Sequence, residues 1–233
     1  MLETDKLDVI FDIHFNMNKN FTAELFLSNI VEVFKNPNNI INTPIIDIPL
    51  DIRLIDKNLR YQPIKEIVYD GYSVLIGTYS LGIKCDDYKG WDYFKEKILK
   101  LLNIVFDKDK KMELNITLEQ CGMRYTNFFR NENIFQLDSI KVQIKNESDI
   151  RNKHLHLKII DSIDEENIKS IIILDNRVEI KSTNEVGSVL DIILHKVINK
   201  DVFINNKEGI LDNMHNYIEK KYSTIIEKKE ERD

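Results

Sequence analysis

In Lys153-His154-Leu155-His156-Leu157-Lys158-Ile159 two imidazoles stand two residues apart, a spacing that puts both on one face of a strand. A His-x-His pair on a strand can offer two ligands to zinc or another borderline metal. Leu155, Leu157 and Ile159 alternate with the histidines and are expected to face the core, leaving the rings outward beside Lys158. No local Cys, Asp or Glu spacing supplies a third and fourth ligand, so an ordinary exposed strand face is the commoner reading. A second set is acidic. Asp8 and Asp12, with His14, share one face of the first strand, and Asp47 and Asp51 would share the outer face of a later extended segment. If those strands pair, the carboxylates cluster in a way that binds Mg²⁺ and supports phosphoryl chemistry; wet-face carboxylates are the ordinary alternative. A third set is Arg124, Tyr125 and Asn127. An Arg on a central strand is costly to bury unless paired, so Arg124 is expected to reach a carboxylate such as Asp86 or Asp87, or a ligand anion. Tyr125 and Asn127 share the other face and are expected to pin the turn from Tyr88 to Trp91, with ligand binding by the trio as the alternative.

The motifs that announce common chemistries are missing. There is no Gly-x-Gly-x-x-Gly, P-loop, Gly-x-Ser-x-Gly elbow or His-Glu-x-x-His, and seven glycines leave little for a phosphate cradle. Cys121 has no His near it in sequence, and Cys85 and Cys121 make neither a metal spacing nor a disulfide framework. Both are expected to be reduced thiols, a bridge across neighbouring strands being the minor alternative. No cofactor is expected, and the balance leans away from an enzyme.

Composition bounds the rest. Hydrophobic residues make up 42% of the 233-residue chain and charged residues 31%, enough for a core and too apolar for disorder. A net charge of −6 without long Lys/Arg runs argues against a general nucleic-acid partner. The charged N-terminus, Met1 to Lys6, lacks an apolar targeting region, and the longest apolar run, Ile171 to Leu174, is far too short to span a bilayer. The expectation is a cytoplasmic protein without a membrane partner.

The elements that must position these residues follow from periodicity. Leu7 to Phe15 alternates strictly, apolar at odd positions, as a half-buried strand does. A helix is expected over 21–35, capped by Asn20 or Thr22, with Phe26, Ile30, Val33 and Phe34 inward. Ile45 to Ile55 alternates again and reads as a strand at a sheet margin because Pro49 lacks a donor. Ile67 to Cys85 is extended and broken at Asp70-Gly71; a helix follows from Trp91 to Phe106, an exposed turn over Asp107 to Lys111, and a long strand from Leu114 to Phe129. Trp91 is expected to anchor the core. Beyond it, Leu137–Ile144, His154–Ile160, Lys169–Leu174, Arg177–Lys181 and Val189–Val197 are strand-like, with Asp175-Asn176 as a hairpin turn. The last helix, 206–227, is expected to be capped by Asn205 with Glu208 completing a capping box, and its stripe of Ile210, Leu211, Met214, Ile218, Tyr222 and Ile225 either packs on its own sheet or pairs with a second copy.

Several of these blocks fall into one order: Tyr88-x-Gly90-Trp91-x-x-Phe94, then Gly122-Met123-Arg124-Tyr125-x-Asn127, then Leu190-Asp191 and Leu211-Asp212-x-x-His215. In that order and spacing the chain resembles a sporadically distributed, uncharacterised prokaryotic protein family; 146–153 and 162–168 have no counterpart in it. The resemblance implies a patchy distribution of the kind seen for mobile or defence-associated genes, and it implies no activity. Together these readings predict an α+β protein of two halves. Residues 1–131 form a split βαβ, ferredoxin-like half and 132–233 a strand-rich half ending in a long helix, the sheets being antiparallel. The expected role is binding or regulation through a protein partner or a homodimer built on the 206–227 helix. The alternative is a metal-dependent hydrolase or nuclease using His154 and His156, or Asp8, Asp12, Asp47 and Asp51.

Overall fold

The computed structural model describes residues 4–18, 21–136, 140, 154–163, 167–180 and 184–226. The protein is α+β, as its periodicities predict. Among the described residues nine antiparallel strands form one sheet: β1 (Thr4–Asn16), β2 (Asn39–Asn42), β3 (Pro63–Tyr69), β4 (Tyr72–Gly77), β5 (Ser80–Cys85), β6 (Thr117–Arg130), β7 (His156–Ile163), β8 (Ile168–Ile180) and β9 (Glu185–Val197). Their order across the sheet is β2-β3-β4-β5-β1-β6-β9-β8-β7. Strands β1 and β6 meet at the centre, β1 flanked on its outer side by β5 and β6 by β9. A long helix follows each of those flanking strands, so the topology repeats although no sequence repeat is visible. The sheet continues without a break past residue 131, where Arg130 still pairs with Gly187.

The helices are α1 (Leu27–Phe34), α2 (Leu50–Ile55), α3 (Trp91–Met112), α4 (Lys200–Asn205) and α5 (Lys207–Ile226). Helices α1, α3 and α5 cover the face that carries Val9, Phe11, Ile13 and Phe15 of β1 and Cys121, Met123 and Tyr125 of β6, all buried. Phe94, Ile98, Leu101, Leu102 and Val105 of α3 complete that core, with Ile210, Leu211, Met214 and Ile218 of α5. The stripe of α5 is therefore spent on its own sheet; Cys121 Sγ lies 3.7 Å from Met214 Sδ. Self-association through this helix would have to use its outer side. No described helix is long and apolar enough to cross a membrane.

Several local expectations are corrected. The 45–55 segment is not a strand: Pro44–Asp47 is a 3-10 turn and α2 follows, each opened by a proline that tolerates a missing donor at a helix start. The margin strand is the four-residue β2. Val33 is 45% exposed and not part of the inward stripe of α1. The helix from Trp91 runs on through Asp107 to Lys111, since no residue there interrupts it and Lys110 and Lys111 suit the negative helix C-terminus. Asp175-Asn176 is a bulge inside β8: Asn176 is fully buried, its Oδ1 accepts from Leu155 N–H at 2.7 Å, and Arg177 takes the left-handed conformation (φ 58°). Asn205 is the last residue of α4 and not the cap of the last helix; α4 itself is capped by Asn199, whose side chain accepts from Asp201 N–H. Cys85 and Cys121 are both free and buried, held apart by β1 between their strands. The expected strand over 137–144, the cap residue Asn20 and the 228–233 tail lie outside the described residues, apart from Ile140.

Candidate functional site

Trp91 and Lys95 of α3, Tyr125 of β6 and Asp212 and His215 of α5 meet on the helix-covered face. Trp91, opening α3, stacks on His215 of α5 with ring centres 4.4 Å apart and planes 7° from parallel. Its indole N–H donates to Asp212 Oδ1 at 2.7 Å, and Lys95 closes on the same carboxylate at 2.8 Å. Hydrogen bonding from Lys95 holds the Asp212 carboxyl below the usual range. The Tyr125 hydroxyl lies 2.7 Å from His215 Nδ1 and 3.3 Å from the Tyr88 hydroxyl, and burial pushes its ionisation far up. Asn127, also buried, reaches Leu190 O at 3.5 Å. Stacked and paired, Trp91, Lys95, Asp212, His215 and Tyr125 fasten α3 and α5 to β6, whereas Asn127 turns to β9 and not to the Tyr88–Trp91 turn. Tyr125 thus pins the Tyr88–Trp91 turn.

Arg124, on the opposite face, reaches neither Asp86 nor Asp87, which pair with Lys84 and Lys89. Its guanidinium grips Asp191 of β9 with Nε at 2.8 Å from Oδ1 and an Nη at 2.7 Å from Oδ2. Residues 124 and 191 sit on neighbouring strands two positions out of direct register, on one face and within reach of this fork. His154 and His156 do share a face, and both turn to Asp175 of β8, at 2.8 and 2.9 Å. Ile159, expected inside, is 44% exposed because β7 is an edge strand. Asp47 and Asp51 lie exposed on the 3-10 turn and α2, not on a strand beside Asp8 and Asp12, so the four carboxylates do not share one strand face. Among the described residues no group of three His, Cys, Asp or Glu is placed to hold a metal ion.

The residues that do converge lie around Asp12. They lie on the face away from α1, α3 and α5. Leu75, Gly82, Asp12, Gly122, His195 and Lys169 stand in successive register across β4, β5, β1, β6, β9 and β8. Asp12 is flanked on both sides by glycine. A Cβ on Gly122 would collide with the Asp12 carboxylate and lie 3.4 Å from His195 Nδ1; one on Gly82 would stand 2.8 Å from Phe11 O. Bare backbone here lets Asp12 lie low over β6 and keeps the floor of the sheet deep. One row along, His14 opposes Gln120. His14 Nε2 is 3.0 Å from Asp12 Oδ2, and Gln120 Nε2 is 2.9 Å from His14 Nδ1 and 3.5 Å from His195 Nδ1. Gln120 thus bridges the two Nδ1 atoms, and His14 turns its Nε2 to Asp12.

A roof overhangs this floor. Residues 56–62, between α2 and β3, bring Tyr61 flat against His14, ring centres 4.2 Å apart and 5° from parallel. The Tyr61 hydroxyl donates to Glu119, and its carbonyl accepts from Ser80 Oγ at 2.7 Å. Arg60 lies 5.4 Å from the ring centres of both Tyr61 and Tyr79 and donates to Asn16, whose amide donates to Glu119. Burial, then the Glu119 bond, pushes the Tyr61 phenol up to about 12. Between roof and floor lie two adjoining concavities of about 740 and 660 Å³ that share His14, Lys57, Asn58, Tyr61 and His195. Each is within the size range of small-molecule sites. Burial lowers the affinity of His195 for a proton; Asp12 opposes this, and His14 and Lys169 add to it. Among the described residues no Ser, Thr or Cys side chain hydrogen-bonds either imidazole, so the cleft holds hydrogen-bonding groups without a primed nucleophile.

Sequence reasoning placed Asp12 and His14 on one face but missed Gln120, His195 and the two glycines. The alternation of β9 puts His195 on the face of Asp191, a legible signal; the register joining it to Asp12 is not. No protein-family model matches the sequence, and no curated protein matches it. Among solved structures, the Methanococcus jannaschii TBP aligns over 92% of this chain and 99% of its own, at 10% identity and a TM-score of 0.26. With so loose a superposition the likeness carries no weight for fold or function.

Proposed function

We propose that this is a binding protein and that the cleft between the sheet and the 56–62 roof is its ligand site. The observation that supports the reading most is the pair of glycines flanking Asp12. They open a floor on which Asp12, His14, Gln120 and His195 form a hydrogen-bonded row, roofed by a loop that is itself tied down. A binding role fits this site better than catalysis, because its imidazoles contact a carboxylate and an amide and no nucleophile. A library of polar metabolites, screened by thermal shift against the wild type, Asn58→Trp and His195→Leu, tests it. Asn58 lies exposed at the rim, so the indole blocks the mouth without disturbing the core. A ligand at about 100 times its Kd adds about 2.7 kcal/mol of stability, and that gain should vanish in both variants. Equal stabilisation of all three proteins, or no stabiliser at all, sinks the reading.

The metal-dependent hydrolase reading rests on His154 and His156, which both turn to Asp175 on the exposed side of β7 and β8. Each imidazole spends a nitrogen on that carboxylate. Stoichiometric zinc, manganese or nickel in the purified protein, lost in His154→Ala, would favour it over the binding reading.

A further inference from the structure

We propose that the ligand of this cleft is a small oxyanion-bearing molecule, its anionic group held between Lys57 of the roof and Lys169 of β8. This rests on the reading of the cleft as a binding site. Both lysines line the larger concavity, with Gln120 and His195 between them on the floor. Neither has an acidic partner within 4 Å among the described residues, whereas Lys65, Lys84, Lys89, Lys95, Lys100 and Lys200 do.

The acids of the cleft hydrogen-bond to other groups and form no ion pair with Lys57 or Lys169. Asp12 is bound by His14 at 3.0 Å, and Glu119 takes the Tyr61 hydroxyl and the Asn16 amide. Opposite Lys169 in register stands His195, not a carboxylate. The cleft therefore holds two lysines outside any ion pair among the described residues, in the company of the Glu119 and Asp12 carboxylates. Clustered cations over low-dielectric walls concentrate anions, and Ile171 and Val197 supply an apolar strip beside them for the uncharged part of a ligand. At about 740 Å³ the space suits a metabolite and not a folded partner.

The probes are inorganic pyrophosphate and citrate, compact polyanions that separate a phosphate preference from a carboxylate one. Calorimetry at low salt is run on the wild type, Lys57→Met/Lys169→Met and Lys57→Arg/Lys169→Arg. Both lysines are exposed, so all three proteins should fold alike. We expect one probe to bind the wild type, to weaken about tenfold or more in the methionine variant, as the loss of two exposed charge contacts implies, and to be retained in the arginine variant. Failure of both probes to bind, or equal affinity in the methionine variant, overturns the anion assignment. Neutral metabolites that stabilise the wild type but not Asn58→Trp would then leave the cleft standing with a different ligand class. Stabilisers indifferent to Asn58→Trp would remove the cleft as well.

Discussion

Replacing Arg124 by Met leaves the Asp191 carboxylate in place and takes away its counter-ion. The Asp191 side chain is 4% exposed and the Arg124 side chain 44%, so the two ends of this pair are not equivalent. Asp191 receives Arg124 Nε at 2.8 and 3.0 Å and an Nη at 2.7 Å; after the change only the Thr126 hydroxyl, at 3.2 Å, still donates to it. Stranding a buried charge costs about 3–5 kcal/mol. The half-exposed position of Arg124 lets water reach the vacated side, so the lower end, about 3 kcal/mol, is the expected loss. For a chain of this length each kcal/mol moves Tm by roughly 2–4 °C, giving a drop of about 6–12 °C. Asp191→Leu should cost less, because the freed guanidinium can turn to solvent, and Arg124→Met/Asp191→Leu should recover part of the single-variant loss. Urea unfolding of the four proteins closes the double-mutant cycle. An Arg124→Met stability within about 1 kcal/mol of wild type, or a loss larger in Asp191→Leu than in Arg124→Met, would refute the argument that burial of the carboxylate dominates.

Three further outcomes follow from the geometry. Trp91→Ala should destabilise by about 3 kcal/mol, the low end for a large core aromatic because Trp91 is only half-buried, whereas Trp91→Phe, losing the bond to Asp212 but not the ring contact, should cost about 1 kcal/mol; chemical denaturation reads both. Burial pushes the Cys121 thiol up to about 12, and since the thiolate is the reactive form, alkylation followed by mass spectrometry should find it unmodified in the native protein and modified in urea. His195 binds a proton less readily folded than unfolded. The unfolded chain therefore takes up a proton below its ordinary value of 6.5 that the folded one resists, so stability should fall as pH drops below that point. The slope should flatten in His195→Gln, and a slope unchanged by that substitution would remove His195 as its source.

Much of the architecture is legible along the chain because it is local. Strict alternation in β1 and the 3.6-residue stripes of α3 and α5 each bury one face, and no rearrangement of the fold can change which side chains share it. Arg124 was legible as a group needing a partner, since burying an unpaired guanidinium is costly, and so was Tyr125 as the pin of the Tyr88–Trp91 turn. Reading failed where two local rules conflict. Residues 45–55 alternate like a strand, yet prolines at 44 and 49 open short helical turns. Asp175-Asn176 has turn-like residues, yet Asn176 does more for stability as a buried bridge inside a bulge.

What the chain by itself determined is the α+β class, the faces of the central strands and helices, and the residues needing partners. Which partners they found was decided only by the tertiary structure. Strand order and register are long-range quantities, set by how nine strands share one sheet, and a one-residue slip would turn every side chain to the other face. That register puts Asp191 beside Arg124, and not Asp86 or Asp87. It also sets Gly82 and Gly122 on either side of Asp12, brings His195 into their row from over 70 residues away, and so makes a cleft from residues that no local pattern connects.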